Sequence, residues 1–183
     1  MVMDSDKALK MAKEVGFEVC APLEPGKLEF LQAVRDMCAA DKCRNFNKSW
    51  SCPPACGSLE HFRELCGKYT DGILVQTICR MTDEYDYESV DDVADKHNEL
   101  FYEMVERLIN EDNTAFAMGM GGCKRCESCT YPDDKCRFPE KLFPSMEACG
   151  LLVSDVCKAN GVPYYYGPNT VAYVSCFLFD PKG

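Results

Sequence analysis

Cys123, Cys126 and Cys129 stand at equal short intervals, and Cys136 follows after six further residues. A single turning loop with that spacing can aim three sulfurs at one centre, and a six-residue return is long enough to deliver the fourth. Iron–sulfur clusters are held by four thiolates, and bacterial ferredoxins use a C-x2-C-x2-C run whose next cysteine ligates a different cluster. Zinc sites more often draw two separated CxxC or CxxH pairs. The spacing therefore points to a [4Fe–4S] cluster on Cys123, Cys126, Cys129 and Cys136, with zinc as the alternative and free thiols as the reading without metal. Gly119, Gly121 and Gly122 precede the loop and leave room for backbone N–H groups to approach inorganic sulfide. Lys124, Arg125 and Arg137 put positive charge beside a centre that is net negative; ordinary surface solvation is the plainer role for them.

A second group lies upstream, at Cys38, Cys43, Cys52, Cys56 and Cys66. Pro53 and Pro54 restrict the backbone next to Cys52, so a ligand loop there starts partly ordered. We expect a further metal site on Cys38, Cys43, Cys52 and Cys56, with Cys66 as an alternate ligand; a redox dithiol or structural cysteines are the competing readings. Binding by three cysteines, with Cys56 or Cys66 left out, would leave an iron open to act as a Lewis acid. Trp50, the one tryptophan, is either a shield for this site or a core anchor.

These loops need a scaffold. Helical patterns run over 4–15, 25–40, 58–69, 88–112 and 145–159, the last opening at Ser145 with Glu147 in its first turn. Strand-like runs cover 17–20, 72–79, 114–120, 162–166 and 170–180, the last two paired around a Gly-Pro-Asn turn. Cys20, Cys79 and Cys176 fall inside such runs and read as small core residues. The alternation predicts an α/β layer fold, or its α+β variant: a mixed β-sheet with flanking helices and two cysteine-rich loops, about 38–66 and 121–144, in one domain spanning 1–183. His61 and His97 lie on helical faces and read as packed or surface residues. Tyr164, Tyr165, Tyr166 and Asn169 form either a packed hairpin or a pocket wall. No P-loop, dinucleotide fingerprint or HExxH occurs.

Thirty Asp and Glu oppose twenty Lys and Arg, a net charge of −10. That balance repels phosphate backbones and argues against nucleic acid. The run of Asp83, Glu84, Asp86, Glu88, Asp91 and Asp92 suits a solvated loop or a docking surface. No stretch reads as a signal peptide or a membrane span, so a cytoplasmic protein is expected, where clustered cysteines are more often ligands than disulfides.

The segments Cys38…Cys43…Trp50-Ser-Cys-Pro-Pro, Gly122-CKRCESCTYPDDKCRFPEK, Pro144-Ser-Met-Glu-Ala and Pro163-Tyr-Tyr-Tyr-Gly-Pro-Asn-Thr together resemble one family. It is an uncharacterised bacterial and archaeal family of predicted metal-binding proteins common in anaerobes, and the resemblance extends from about 38 to 180. It implies metal binding, iron–sulfur rather than any stated reaction, and it favours Cys38 over Cys56 as a ligand. The expected role is an electron carrier or redox accessory protein of anaerobic metabolism, holding one or two [4Fe–4S] clusters and docking a redox partner protein. An iron–sulfur enzyme with an open cluster site and a zinc-stabilised interaction module are the alternatives. Substrate and oligomeric state are not legible.

Overall fold

The computed structural model describes residues 3–111 and 114–181 of the chain. Its spine is a pair of long strands, β2 (Tyr69–Arg80) and β4 (Thr170–Pro181). They run antiparallel in continuous register from Tyr69↔Pro181 to Arg80↔Thr170. β-Branched and aromatic residues fill both, as a strand buried on its two faces requires. Two short strands complete the sheet, β1 (Val19–Pro22) against β2 and β3 (Phe116–Met118) against β4, in the order β1-β2-β4-β3. Every pairing among these strands is antiparallel, which is the α+β form of the expected layer fold; the parallel contact is the isolated bridge Gly119↔Ser145.

The pleat divides the core in two. Ile73, Val75, Phe177 and Phe179 turn one way, against helices α1 (Ser5–Val15) and α4 (Tyr87–Glu111). α1 is capped by Asp4, which accepts from Lys7 N–H at 2.9 Å, and is closed by Gly16 at φ 114°. α4 buries His97, Phe101, Met104, Val105 and Leu108, a stripe at helical spacing. Leu74, Cys176 and Leu178 turn the other way. They meet Phe62 of α3 (Leu59–Cys66), Met146, Leu151, and Val156 of α5 (Val153–Ala159).

Three expected elements differ. The helix over 25–40 is a 3₁₀ turn at Pro25–Lys27 and then α2 (Gln32–Ala39). Between them the chain is extended, because Phe30 bridges Leu151 and Leu31 N–H donates to Gly150 C=O at 2.8 Å. The helix over 145–159 survives only as α5. Residues 145–151 are turns pinned to the sheet edge by the Gly119↔Ser145 bridge, and Gly150 sits at φ 92°, where a right-handed helix cannot continue. The strand expected over 162–166 makes no ladder. The segment serves Gln76 instead, whose buried amide donates to the backbone C=O of Pro163 at 2.9 Å and accepts from the Tyr166 phenol O–H at 2.6 Å. Tyr165 projects into solvent, 73% exposed. Asp112, expected in α4, lies outside the described residues. Cys79 and Cys176 are buried, while Cys20 is half-buried. None of the helices among the described residues is long and apolar enough to cross a membrane.

Candidate metal centre

The two cysteine-rich loops lie side by side, held by polar contacts between them. Cys123 N–H donates to Ser51 Oγ at 3.0 Å, and Trp50 Nε1 donates to Asp134 C=O at 3.1 Å. Trp50 also meets Tyr131 edge-on at 4.9 Å between ring centroids, and Tyr131 O–H reaches Asn47 Oδ1 at 2.5 Å. Trp50 is therefore a clasp between the loops and a wall of the later site, rather than an anchor of either core.

Cys123, Cys126, Cys129 and Cys136 all line one cavity of about 300 Å³. The same wall carries Arg44, Lys48, Arg125, Arg137 and Lys141, against Glu127 alone as a carboxylate. In a chain of charge −10 this is a local inversion of sign. Lys124, expected there as well, pairs instead with Asp95 of α4 at 2.8 Å. Arg44, Lys48 and Lys141 were invisible in the sequence because two of them come from the other loop. Lys48 shares its charge with Asp41 at 3.3 Å. Arg125 stacks over Tyr102 at 4.1 Å and donates from Nε to Lys141 C=O at 3.0 Å, while its Nη2 is buried without a partner. Burial opposes ionisation of Cys129, but backbone N–H groups of Tyr131, Trp50 and Thr130 and the Ser49 hydroxyl outweigh it, and the thiol pKa is lowered. N–H donors aimed at sulfur also suit a cluster-bound thiolate.

The upstream cysteines divide. Cys38, Cys43 and Cys52 line a neighbouring cavity of about 270 Å³, together with Lys42, Asn45, Gly121, Gly122 and Glu147. Asn45 is on the wall of both cavities, and Gly122 passes so close that a Cβ there would sit 3.1 Å from the Asn45 amide. Burial raises the Cys38 thiol pKa, and Glu147, Cys43 and Cys52 raise it further. Burial also raises Cys52, against a hydrogen bond from Ser51 and beside Cys43 and Cys123. Cys56, expected among the ligands, does not reach this cavity. Its sulfur faces Ala148 C=O and Arg35 Nη1, each at 3.8 Å, and it packs on the second core. Burial pushes its pKa up to about 11. Cys66, the alternate, is buried at the C-terminal end of α3, and burial pushes its pKa up to about 12.

All fourteen cysteines are free. Among the described residues no three or more His, Cys, Asp or Glu side chains converge as a single-ion site; the sulfurs ring two cavities instead. His97 is no ligand candidate, since its nitrogens meet Thr77 Oγ1 and Ser175 Oγ, each at 2.8 Å. His61 is exposed against Phe62. Glu147, expected in the first turn of a helix, is instead on the wall of the Cys38, Cys43 and Cys52 cavity, because that helix does not form.

A family model described as predicted metal-binding protein (DUF2284) matches residues 21–179. No curated protein and no solved structure matches the chain.

Proposed function

The chain thus belongs to this family of predicted metal-binding proteins, and from that premise we propose that it is an iron–sulfur electron carrier whose [4Fe–4S] cluster rests on Cys123, Cys126, Cys129 and Cys136. One observation carries the reading: four cysteines share a cavity whose basic residues outnumber its single carboxylate. A tetrathiolate cluster is net negative, and such a wall neutralises it. A single zinc would need its ligands drawn to one point, whereas the sulfurs are spread around a space. The cluster would supply one-electron chemistry when bound. The chain's part is to hold it, to exclude water with Trp50 and Phe138, and to tune its charge.

Cys129 is exposed, which would bring a cluster edge near the surface, as exchange with a docked redox protein requires. The acidic remainder of the chain suits a basic partner. A reducing, anaerobic cytoplasm is the setting in which free thiols and such a cluster both persist.

Anaerobic purification with iron and acid-labile sulfide analysis tests this. Iron and sulfide in equal amounts are expected, with broad absorbance near ~400 nm that bleaches with dithionite. Cys126→Ala and Cys129→Ala together should lose about four irons per chain. Stoichiometric zinc without a reducible centre would overturn the reading.

A further inference from the structure

We infer that the cavity of Cys38, Cys43 and Cys52 is a second cluster site with three thiolates and no fourth, its remaining iron open to a small carboxylate ligand. The inference rests on the iron–sulfur reading above but concerns different residues. Three cysteines line this space, and their thiols are electrostatic neighbours. The nearest candidates for a fourth are directed elsewhere. Cys56 is held against Arg35 and Ala148, and Cys66 turns into the core from the last turn of α3.

What replaces the fourth cysteine is oxygen chemistry. Glu147 is the one carboxylate among the residues lining the cavity, so it is the resting occupant of the fourth position. An exogenous carboxylate would exchange with it, like for like. Lys42 and Asn45 lie on the same wall and can bind the ligand's oxygens, while Val34, Met37, Phe46 and Pro53 close the rest with apolar surface. Size sets the ligand class. A cavity of about 270 Å³ is already at the lower end of small-molecule pockets, which run from about 300 Å³. With a cluster inside, only a ligand of a few non-hydrogen atoms fits.

The two cavities share Asn45, and Ser51 bonds Cys123 while touching Cys52 at 3.7 Å. The outer cluster would therefore lie beside the ligand-binding one and feed it electrons.

The test uses the whole chain, reconstituted anaerobically, with Cys126→Ala and Cys129→Ala together leaving two thiolates at the outer site, too few to hold a cluster, so that the inner one is read alone. About four irons per chain should remain. Ferricyanide should take one electron and release one Fe²⁺, leaving a three-iron cluster with its own EPR signal, because one iron lacks a thiolate. Glycolate should shift the EPR spectrum of the dithionite-reduced cluster, and Glu147→Gln should lower the glycolate concentration needed several-fold. In the same background Cys52→Ala should lose the iron and Cys56→Val should keep it. Cys56→Val losing iron as fully as Cys52→Ala, with unchanged circular dichroism, would make Cys56 the fourth ligand and overturn the inference. So would glycolate leaving both spectra unmoved. If the Cys126→Ala/Cys129→Ala variant holds no iron while the unaltered protein holds one four-iron cluster, the inference falls and the electron-carrier reading stands; an unaltered protein without iron or sulfide sinks both.

Discussion

Arg125 shows how one side chain can tune a bound charge. Its guanidinium belongs to the wall of the cavity that Cys123, Cys126, Cys129 and Cys136 ring. Positive charge favours the more negative, reduced cluster. Arg125→Met should therefore lower its reduction potential, by tens of millivolts on the order expected for one charge several ångströms away at an effective dielectric near ~20. An anaerobic redox titration checks it, and Arg125→Lys should restore part of the shift. His97 offers a second test, independent of metal. It is buried between Thr77 and Ser175, and burial lowers its pKa to about 4. The unfolded chain protonates near its ordinary ~6.5. Above that pH both states are neutral and stability is full. As pH falls towards 4 the unfolded state alone gains the proton, and up to about 3 kcal/mol is lost. Thermal unfolding at pH 7 and pH 5 should differ by less in His97→Asn than in the unaltered protein.

At the scale of elements, the turn segment 145–151 does the work expected of a helix. Its Ala148 carbonyl accepts from Arg35 Nη1 at 2.6 Å and its Gly150 carbonyl from Leu31 N–H at 2.8 Å. These bonds fasten α2, which carries Cys38, beside Glu147. Gly150 makes the turn possible. At φ 92° any side chain is strained, and a Cβ would fall 2.2 Å from Leu59 Cδ1. Gly150→Ala should cost about 1–3 kcal/mol and lower the melting temperature by roughly 2–10 °C. Iron retention at the Cys38, Cys43 and Cys52 site should suffer more than at the Cys123–Cys136 site, which differential scanning calorimetry and iron analysis would show together.

On the scale of the whole molecule, the sheet and the loops draw their order from different sources. The strands and α4 bury two apolar cores. No residue from 121 to 143 is buried, and regular structure there is limited to a 3₁₀ turn at Pro139–Lys141. A segment of that kind is held by polar clasps and, on the proposed reading, by metal. Removing iron with a chelator and ferricyanide should leave far-ultraviolet circular dichroism nearly unchanged. Limited trypsin digestion should then cut at Lys124, Arg125, Lys135 or Arg137 much faster than in the loaded protein. Equal cleavage rates would show that the loop is ordered without metal.

The C-x2-C-x2-C-x6-C loop was legible from the chain alone because its ligand geometry is set within fourteen consecutive positions, 123–136. α1, α4, β2 and β4 were legible for a similar reason: each repeats one local periodicity over many residues, and packing reinforced it. Cys38, Cys43, Cys52 and Cys56 look equivalent in one dimension, since nothing local says which way each sulfur turns. The tertiary structure decided that, when Arg35 and the 145–151 turn drew Cys56 towards the core and left the other three around a cavity. It also brought Asn45, Ser51, Arg44 and Lys48 from one loop to the cysteines of the other. Such neighbours are chosen by long-range packing, which no spacing records.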